Sequence, residues 1–183
     1  MIYISGPMSG KPYFNIPMFD RAKEILTSKG HRVISPPDED TPAMRKACLE
    51  CHTGDWFDLP ESITSNSSYG EILGEDIKTI LDGANITGLA LLPGWGHSKG
   101  ATMEVLAAAL MGKKFFMLNI PEACELHTTR VLVEEMRDKV GEIFEVPNTH
   151  VPLMISSVVD DMAKDNYPVS EAQLDPEYTG VMQ

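Results

Sequence analysis

MIYISGPMSGKPYFNIPMFDRAKEILTSKGHRVISPP, residues 1–37, decides the fold. Its first five residues are a β-type run closed by Gly6-Pro7, after which Ser9, Gly10 and Lys11 fall in a turn. From Asn15, with Pro17 near the first helical position, Phe19, Ala22, Ile25 and Leu26 recur at helical spacing as far as Gly30. That pattern predicts an amphipathic helix with a glycine stop. "HRVIS" then reads as a second strand, ended by Pro36-Pro37. Strand, helix and strand inside about 35 residues are the βαβ unit of a parallel sheet.

The rhythm breaks over residues 38–70, which hold acids, prolines, Cys48, Cys51, His52, Trp56 and the polar run "SITSNSSYG". A loop of that length in a compact domain is usually functional or disordered, so this stretch reads as an insertion or a lid. Trp56, Phe57 and Tyr69 suit either a small core of the insertion, the favoured reading, or aromatic faces closing over a base. "EILGEDIKTILDG" restores helical spacing through Ile72, Ile77, Ile80 and Leu81, and "ITGLALLP" is the most apolar strand, as expected at the centre of a parallel sheet. "GWGHSKGATMEVLAAALMGKK" (94–114) carries a second glycine-containing turn into a buried helix that stops at Gly112, and "KKFFMLN" is a further strand. Residues 126–140 read as a helix, and the acids Glu134, Glu135, Asp138 and Glu142 read as a solvated helix face. Beyond Val146 the chain turns polar and proline-interrupted. The expectation is an α/β domain over 1–146, a Rossmann-like (flavodoxin-like) parallel sheet with flanking helices. A C-terminal extension or linker over 147–183 would lead to a partner or a second domain.

Composition narrows the function classes. With 183 residues and 43% hydrophobic content, the chain can bury one real core. A net charge of -12 argues against a non-specific grip on a nucleic acid polymer or an anionic membrane, since both need a basic surface. It leaves room for a nucleotide held by a few backbone amides. No stretch resembles a signal peptide or a membrane span, and three cysteines suit a reducing compartment, so the expected location is cytoplasmic. Eleven methionines suggest adaptable packing and carry no function by themselves.

Ligands of open parallel sheets bind beyond the carboxyl ends of the strands, and two such ends are chemically loaded here: "SGPMSGK" and "PGWGHSKG". Each offers small residues, hydroxyls and a lysine suited to an anion, although turn-forming glycines are common after strands. Glu104 is more informative. An acid in a helix's first turn can serve only the helix dipole, worth about 0.3–1 kcal/mol. Its apolar neighbours Ala101, Val105, Leu106, Ala107, Ala108, Ala109 and Leu110 predict a helix packed on several sides, which would make Glu104 a desolvated nucleophile or base. Cys48, Cys51 and His52 form a C-x-x-C-H stretch, but haem attachment belongs to exported proteins and zinc needs a fourth ligand that no spacing supplies, His31 and Asp55 being the candidates. No metal is expected, and the cysteines read as part of a helix or insertion.

With these segments in place the chain resembles the nucleoside 2-deoxyribosyltransferase-like superfamily, and within it a small phage-associated branch. The likeness rests on "YISGPMSG" and "LPGWGHSKGATMEVLAAALMGKK", and covers residues 1–37 and about 71–118. His97 stands where that branch usually has an acidic or other polar residue. The resemblance implies cleavage of the N-glycosidic bond of 2'-deoxynucleosides or their 5'-monophosphates, without metal or organic cofactor. Glu104 matches the nucleophile, Tyr3 the tyrosine that orients it, and Asp76, 28 residues earlier, the acid that assists the leaving base, with Asp82 a weaker substitute. Read alone, Tyr3 is a core aromatic and Asp76 a solvated helix residue. Asn85 replaces an aspartate frequent in relatives. Ser98 lies where enzymes acting on free nucleosides usually carry an aspartate for the 5'-hydroxyl, and a serine there would welcome a phosphate. Ser5, Gly6, Ser9, Gly10, Lys11, Gly96, Lys99 and Gly100 would complete the phosphate cradle. The expectation is therefore a deoxynucleoside 5'-monophosphate N-glycosidase. A base-exchanging transferase and a non-catalytic nucleotide sensor remain as alternatives, and the tail has a third, adaptor, reading. The resemblance also implies a homo-oligomer, dimeric or higher.

Overall fold

The computed structural model describes residues 1–65, 68–83, 85–120 and 143–146. The helix expected over 126–140 and the extension over 147–183 lie outside them. Strands β1 (Ile2–Ser5), β2 (Val33–Ile34), β3 (Gly88–Leu91), β4 (Lys114–Leu118) and β5 (Ile143–Val146) form one sheet in the order β2-β1-β3-β4-β5. The first four are mutually parallel, in the register Tyr3↔Ile34, Tyr3↔Leu89 and Leu89↔Phe115. With flanking helices, this is the Rossmann-like α/β architecture read from the sequence, and its strand order is the flavodoxin-like one. β5 departs from that reading. It runs antiparallel to β4, with Leu118 opposite Ile143, an antiparallel edge on an otherwise parallel sheet.

Helix α1 (Ile16–Ser28) joins β1 to β2, and α6 (Lys99–Leu110) joins β3 to β4. Between β2 and β3 the chain forms α2 (Pro36–Glu39), α3 (Pro42–Glu50), α4 (Glu61–Thr64) and α5 (Tyr69–Asp82). The stretch read as a long loop is therefore largely helical. Its helices are too short to show a hydrophobic period, yet their starts are encoded locally. Prolines occupy the first turns of α2 and α3, where a fixed φ helps and no amide is missed, and the Thr41 hydroxyl accepts the Met44 amide at 3.2 Å. Ser68 and Glu71 form a reciprocal capping box at the head of α5.

Period-two alternation along the buried central strands divides the core into two faces. Ile2, Ile4, Ala90 and Leu92 pack against Phe19, Ala22, Ile25 and Leu26 of α1. Tyr3, Leu89, Leu91 and Phe115 pack against Ile80 of α5 and Ala101, Val105 and Ala108 of α6. A third, smaller core lies outside the sheet: Phe14, Ile16, Cys48, Cys51 and Leu59, with Trp56 packed on it. Trp56 thus does belong to a core of the insertion. Phe57 is 91% exposed and contributes nothing to it, and Tyr69 belongs to α5.

That third core ties the insertion to the loop after β1. The Gly10 amide donates to the Gly54 carbonyl at 2.9 Å, the Tyr13 amide donates to the Cys51 carbonyl at 2.8 Å, and the Tyr13 and His52 rings meet edge to face. Gly54 has φ +69°, and a Cβ there would run into the backbone of Lys11. Three consecutive non-glycine residues, Tyr13, Phe14 and Asn15, hold positive φ in the same loop, a strained arrangement that the surrounding contacts must maintain.

Candidate active site

Residues 3 and 5 of β1 share the sheet face that α6 crosses, which is how residues a hundred positions apart meet. The Ser5 hydroxyl donates to one Glu104 oxygen at 2.5 Å and the Tyr3 hydroxyl to the other at 3.4 Å. All three residues are buried, and Ser5 is wholly so. The Ser98 hydroxyl accepts the Ala101 amide at 3.3 Å, so the helix starts at Lys99 and Glu104 falls beyond its first turn. This corrects the placement expected from the sequence and removes the helix-dipole explanation, because that effect fades within the first turn.

Burial pushes the Glu104 carboxyl up to about 7; the Ser5 hydrogen bond opposes the rise, the nearby Asp76 charge adds to it, and Tyr3 opposes it. Asp76, on α5, is pushed to about 6 by burial, countered by a hydrogen bond from Tyr3 and reinforced by Glu39. The Tyr3 phenol therefore serves both acids, and its own burial beside them keeps it protonated. Two raised carboxyls beside one phenol titrate as a coupled pair and can hold a single proton between them near neutral pH, the state in which one acid attacks and the other donates.

Asp76 also lines a cavity of about 540 Å³, within the roughly 300–1,000 Å³ range of small-molecule sites. Met8, Met44, Ile63 and Ile72 contribute apolar wall, and Glu39, Asp40, Glu71 and Glu75 contribute carboxylates. Asp40 rises to about 6 through burial and the Asp76 charge, opposed by Arg45. Neither Glu39 nor Asp40 was among the residues singled out from the sequence. The available signal was an acidic "DED" run (38–40) directly after β2, the kind of strand end at which ligands bind.

The proposed phosphate cradle is only partly assembled. Ser5 faces Glu104 and holds the carboxylate instead of lining an anion site. Gly6 closes the β1 end against Leu92, whose side chain would lie 2.7 Å from a Cβ at that position. Ser9 and Gly10 are exposed, and with Lys11 they belong to the turn docked on the insertion. Gly96 is half-buried in the 3-10 turn Trp95–His97, next to exposed His97. Ser98, Lys99 and Gly100 do stand together at the head of α6, with the Tyr69 hydroxyl close over Gly100. Asp82 and Asn85 are exposed, and the Asn85 carbonyl accepts the chain's amino terminus at 2.6 Å.

Cys48 and Cys51 are buried free thiols in the third core, and burial, with Asp40 and Cys51 nearby, pushes Cys48 up to about 12. A thiol held protonated in apolar surroundings is a packing residue. Among the described residues no helix is long and apolar enough to cross a membrane.

Searches among curated proteins and among solved structures gave no significant match. A family model described as a domain of unknown function (DUF4406) matches residues 1–117, which hold β1 to β3, α6 and the whole Tyr3–Ser5–Asp76–Glu104 constellation, and the chain belongs to that family.

Proposed function

We propose that this protein cleaves the N-glycosidic bond of a 2'-deoxynucleoside 5'-monophosphate through a covalent glycosyl-Glu104 intermediate. One observation carries the reading: a buried carboxylate held by the Tyr3 and Ser5 hydroxyls, linked through Tyr3 to a second acid on the wall of a substrate-sized cavity. A Glu104 oxygen attacks the anomeric carbon as the bond to the base nitrogen breaks, and the leaving base takes the electron pair and a proton from Asp76. Water then attacks the anomeric carbon as its bond to the Glu104 oxygen breaks and the electron pair returns to that carboxylate; the water loses a proton to Asp76, releasing deoxyribose 5-phosphate and restoring both acids. Tyr3 and Ser5 fix the attacking oxygens, and the head of α6 with Ser98, Lys99 and Gly100 receives the phosphate.

A second reading, base exchange on a free nucleoside, is favoured by the Gly10 amide, which is spent on the Gly54 carbonyl rather than offered to a phosphate. Chromatography of the products from the common deoxynucleoside 5'-monophosphates and their nucleosides, with and without a second free base, tests both. Base release from monophosphates that disappears in Glu104→Ala supports the hydrolase, and base exchange on nucleosides supports the transferase. Saturable nucleotide binding without release from any substrate would overturn both and leave a binding module.

A further inference from the structure

The proposed chemistry says nothing about which base is taken, but the cavity does. Among the described residues its polar side chains are Glu39, Asp40, Glu71, Glu75 and Asp76 together with the hydroxyls of Thr41 and Ser62, and none is a lysine, arginine or histidine. Ionised carboxylates only accept hydrogen bonds. Glu71 is committed to the Ser68 cap, and Glu39 and Glu75 are exposed at the rim. Asp40 is half-buried and near enough to Asp76 for their charges to interact. Its nearest opposite charge is engaged elsewhere: Arg45 donates to both Asp20 oxygens at 2.7 Å and to the Pro37 carbonyl at 3.2 Å. At the same strand end the Ser35 hydroxyl, next to the Pro36 wall, is 1% exposed and has no hydrogen-bond partner among the described residues. Buried hydroxyls rarely lack one. Met8, Met44, Ile63 and Ile72 supply polarisable, apolar surface suited to a flat ring.

We propose that this cavity is the base subsite and that Asp40 makes it selective for bases carrying an exocyclic amino group, guanine, adenine and cytosine, against thymine and uracil. The proposal rests on the glycosidase reading of the same site. An amino group offers Asp40 a donor, and guanine offers two. Thymine and uracil present a single N3–H between two carbonyl oxygens, which a carboxylate repels and for which the described wall holds no cationic or amide side chain, only the hydroxyls of Thr41 and Ser62.

The test measures kcat/KM for the five deoxynucleoside 5'-monophosphates with the full chain, and their binding to Glu104→Gln by calorimetry. Wild type should favour the three amino-bearing substrates over the thymine and uracil ones by at least about tenfold. Asp40→Asn supplies an amide donor and should narrow that ratio at least about tenfold, mainly through gains with thymine and uracil. An unchanged ratio in Asp40→Asn, or a wild-type preference for thymine, overturns the proposal. Should Asp40→Asn fail to fold, the wild-type ratio still decides. Turnover without base discrimination would overturn the subsite and leave the glycosidase standing. Amino-selective binding without turnover would do the reverse.

Discussion

The two faces of one strand carry opposite burdens. On β1, Ile2 and Ile4 meet α1 in an all-apolar layer, whereas Tyr3 and Ser5, one residue out of step, meet α6 and a buried carboxylate. Both faces are sealed from water, but only the first is sealed at no electrostatic cost. On the second, burial raises Glu104 while the two hydroxyls only partly offset it. A fold that sought stability alone would place an apolar residue at position 104. An acid there, with a second raised acid nearby, is the kind of environment in which functional carboxyls are found.

The sharpest way to break the contrast is to damage the apolar face. Phe19, 1% exposed against the sheet, should cost about 3–5 kcal/mol as Phe19→Ala, measured by urea unfolding. If the faces are independent, base release per folded molecule stays at the wild-type value. An accompanying loss of turnover would show the α1 layer to be part of the site.

The next effect has the opposite sign. Folded Glu104 keeps its proton up to about 7, whereas an unfolded glutamate releases it near 4.5. Between those values the folded state holds more protons, so this group makes stability fall as pH rises through the window. Glu104→Gln should therefore unfold at higher urea than wild type above pH 7, by up to about 3 kcal/mol, with the gain vanishing below pH 4.5. Equal stability at every pH would mean that the carboxylate is not strained by its surroundings.

Ser5→Ala tests how much of that cost the hydroxyl relieves. Losing the 2.5 Å donor raises Glu104 further, so the acid limb of turnover should move up by about one pH unit, with about 1–2 kcal/mol less stability above pH 7. An unmoved pH profile would show that Ser5 does not tune the proposed nucleophile. The smallest effect belongs to the head of α6. Ser98→Ala removes the cap and should cost about 1 kcal/mol in a melt. Ser98→Asp keeps a capping oxygen and the stability, yet sets a carboxylate where a phosphate is proposed to bind. It should raise KM for monophosphates and spare nucleosides. Equal KM changes for both would remove the phosphate from this end of the site.

Much of the fold was legible because its signals are local and repetitive. The βαβ unit over 1–37, the apolar central strand and the helix after Ser98 each follow from a period and a stop, with Gly30 and Gly112 ending α1 and α6 at positive φ. The helices of 36–64 were missed because helices of four to nine residues show no readable period and rest on caps and packing. β5 was missed because what defines it is its antiparallel pairing with β4, a contact between distant residues and not a local period. At the site, Glu104 stood out as a residue, Tyr3 and Asp76 were named only through the family resemblance, and the alternation of β1 puts Tyr3 and Ser5 on one face.

Residue types and spacing along the chain thus settle the layers of this protein and nominate its acids. Chain folding decides what those acids experience. A carboxyl titrates near 7 or near 4.5 according to how much water, charge and hydroxyl surround it, and those surroundings come from β1, α5, α6 and the end of β2. The transfer of Ser5 from phosphate cradle to carboxylate holder, and the entry of Asp40 into the cavity wall, are decisions of that kind. Local pattern encodes secondary structure because backbone preferences act over a few residues. Electrostatic environment is a sum over neighbours in space, and only the packed chain defines it.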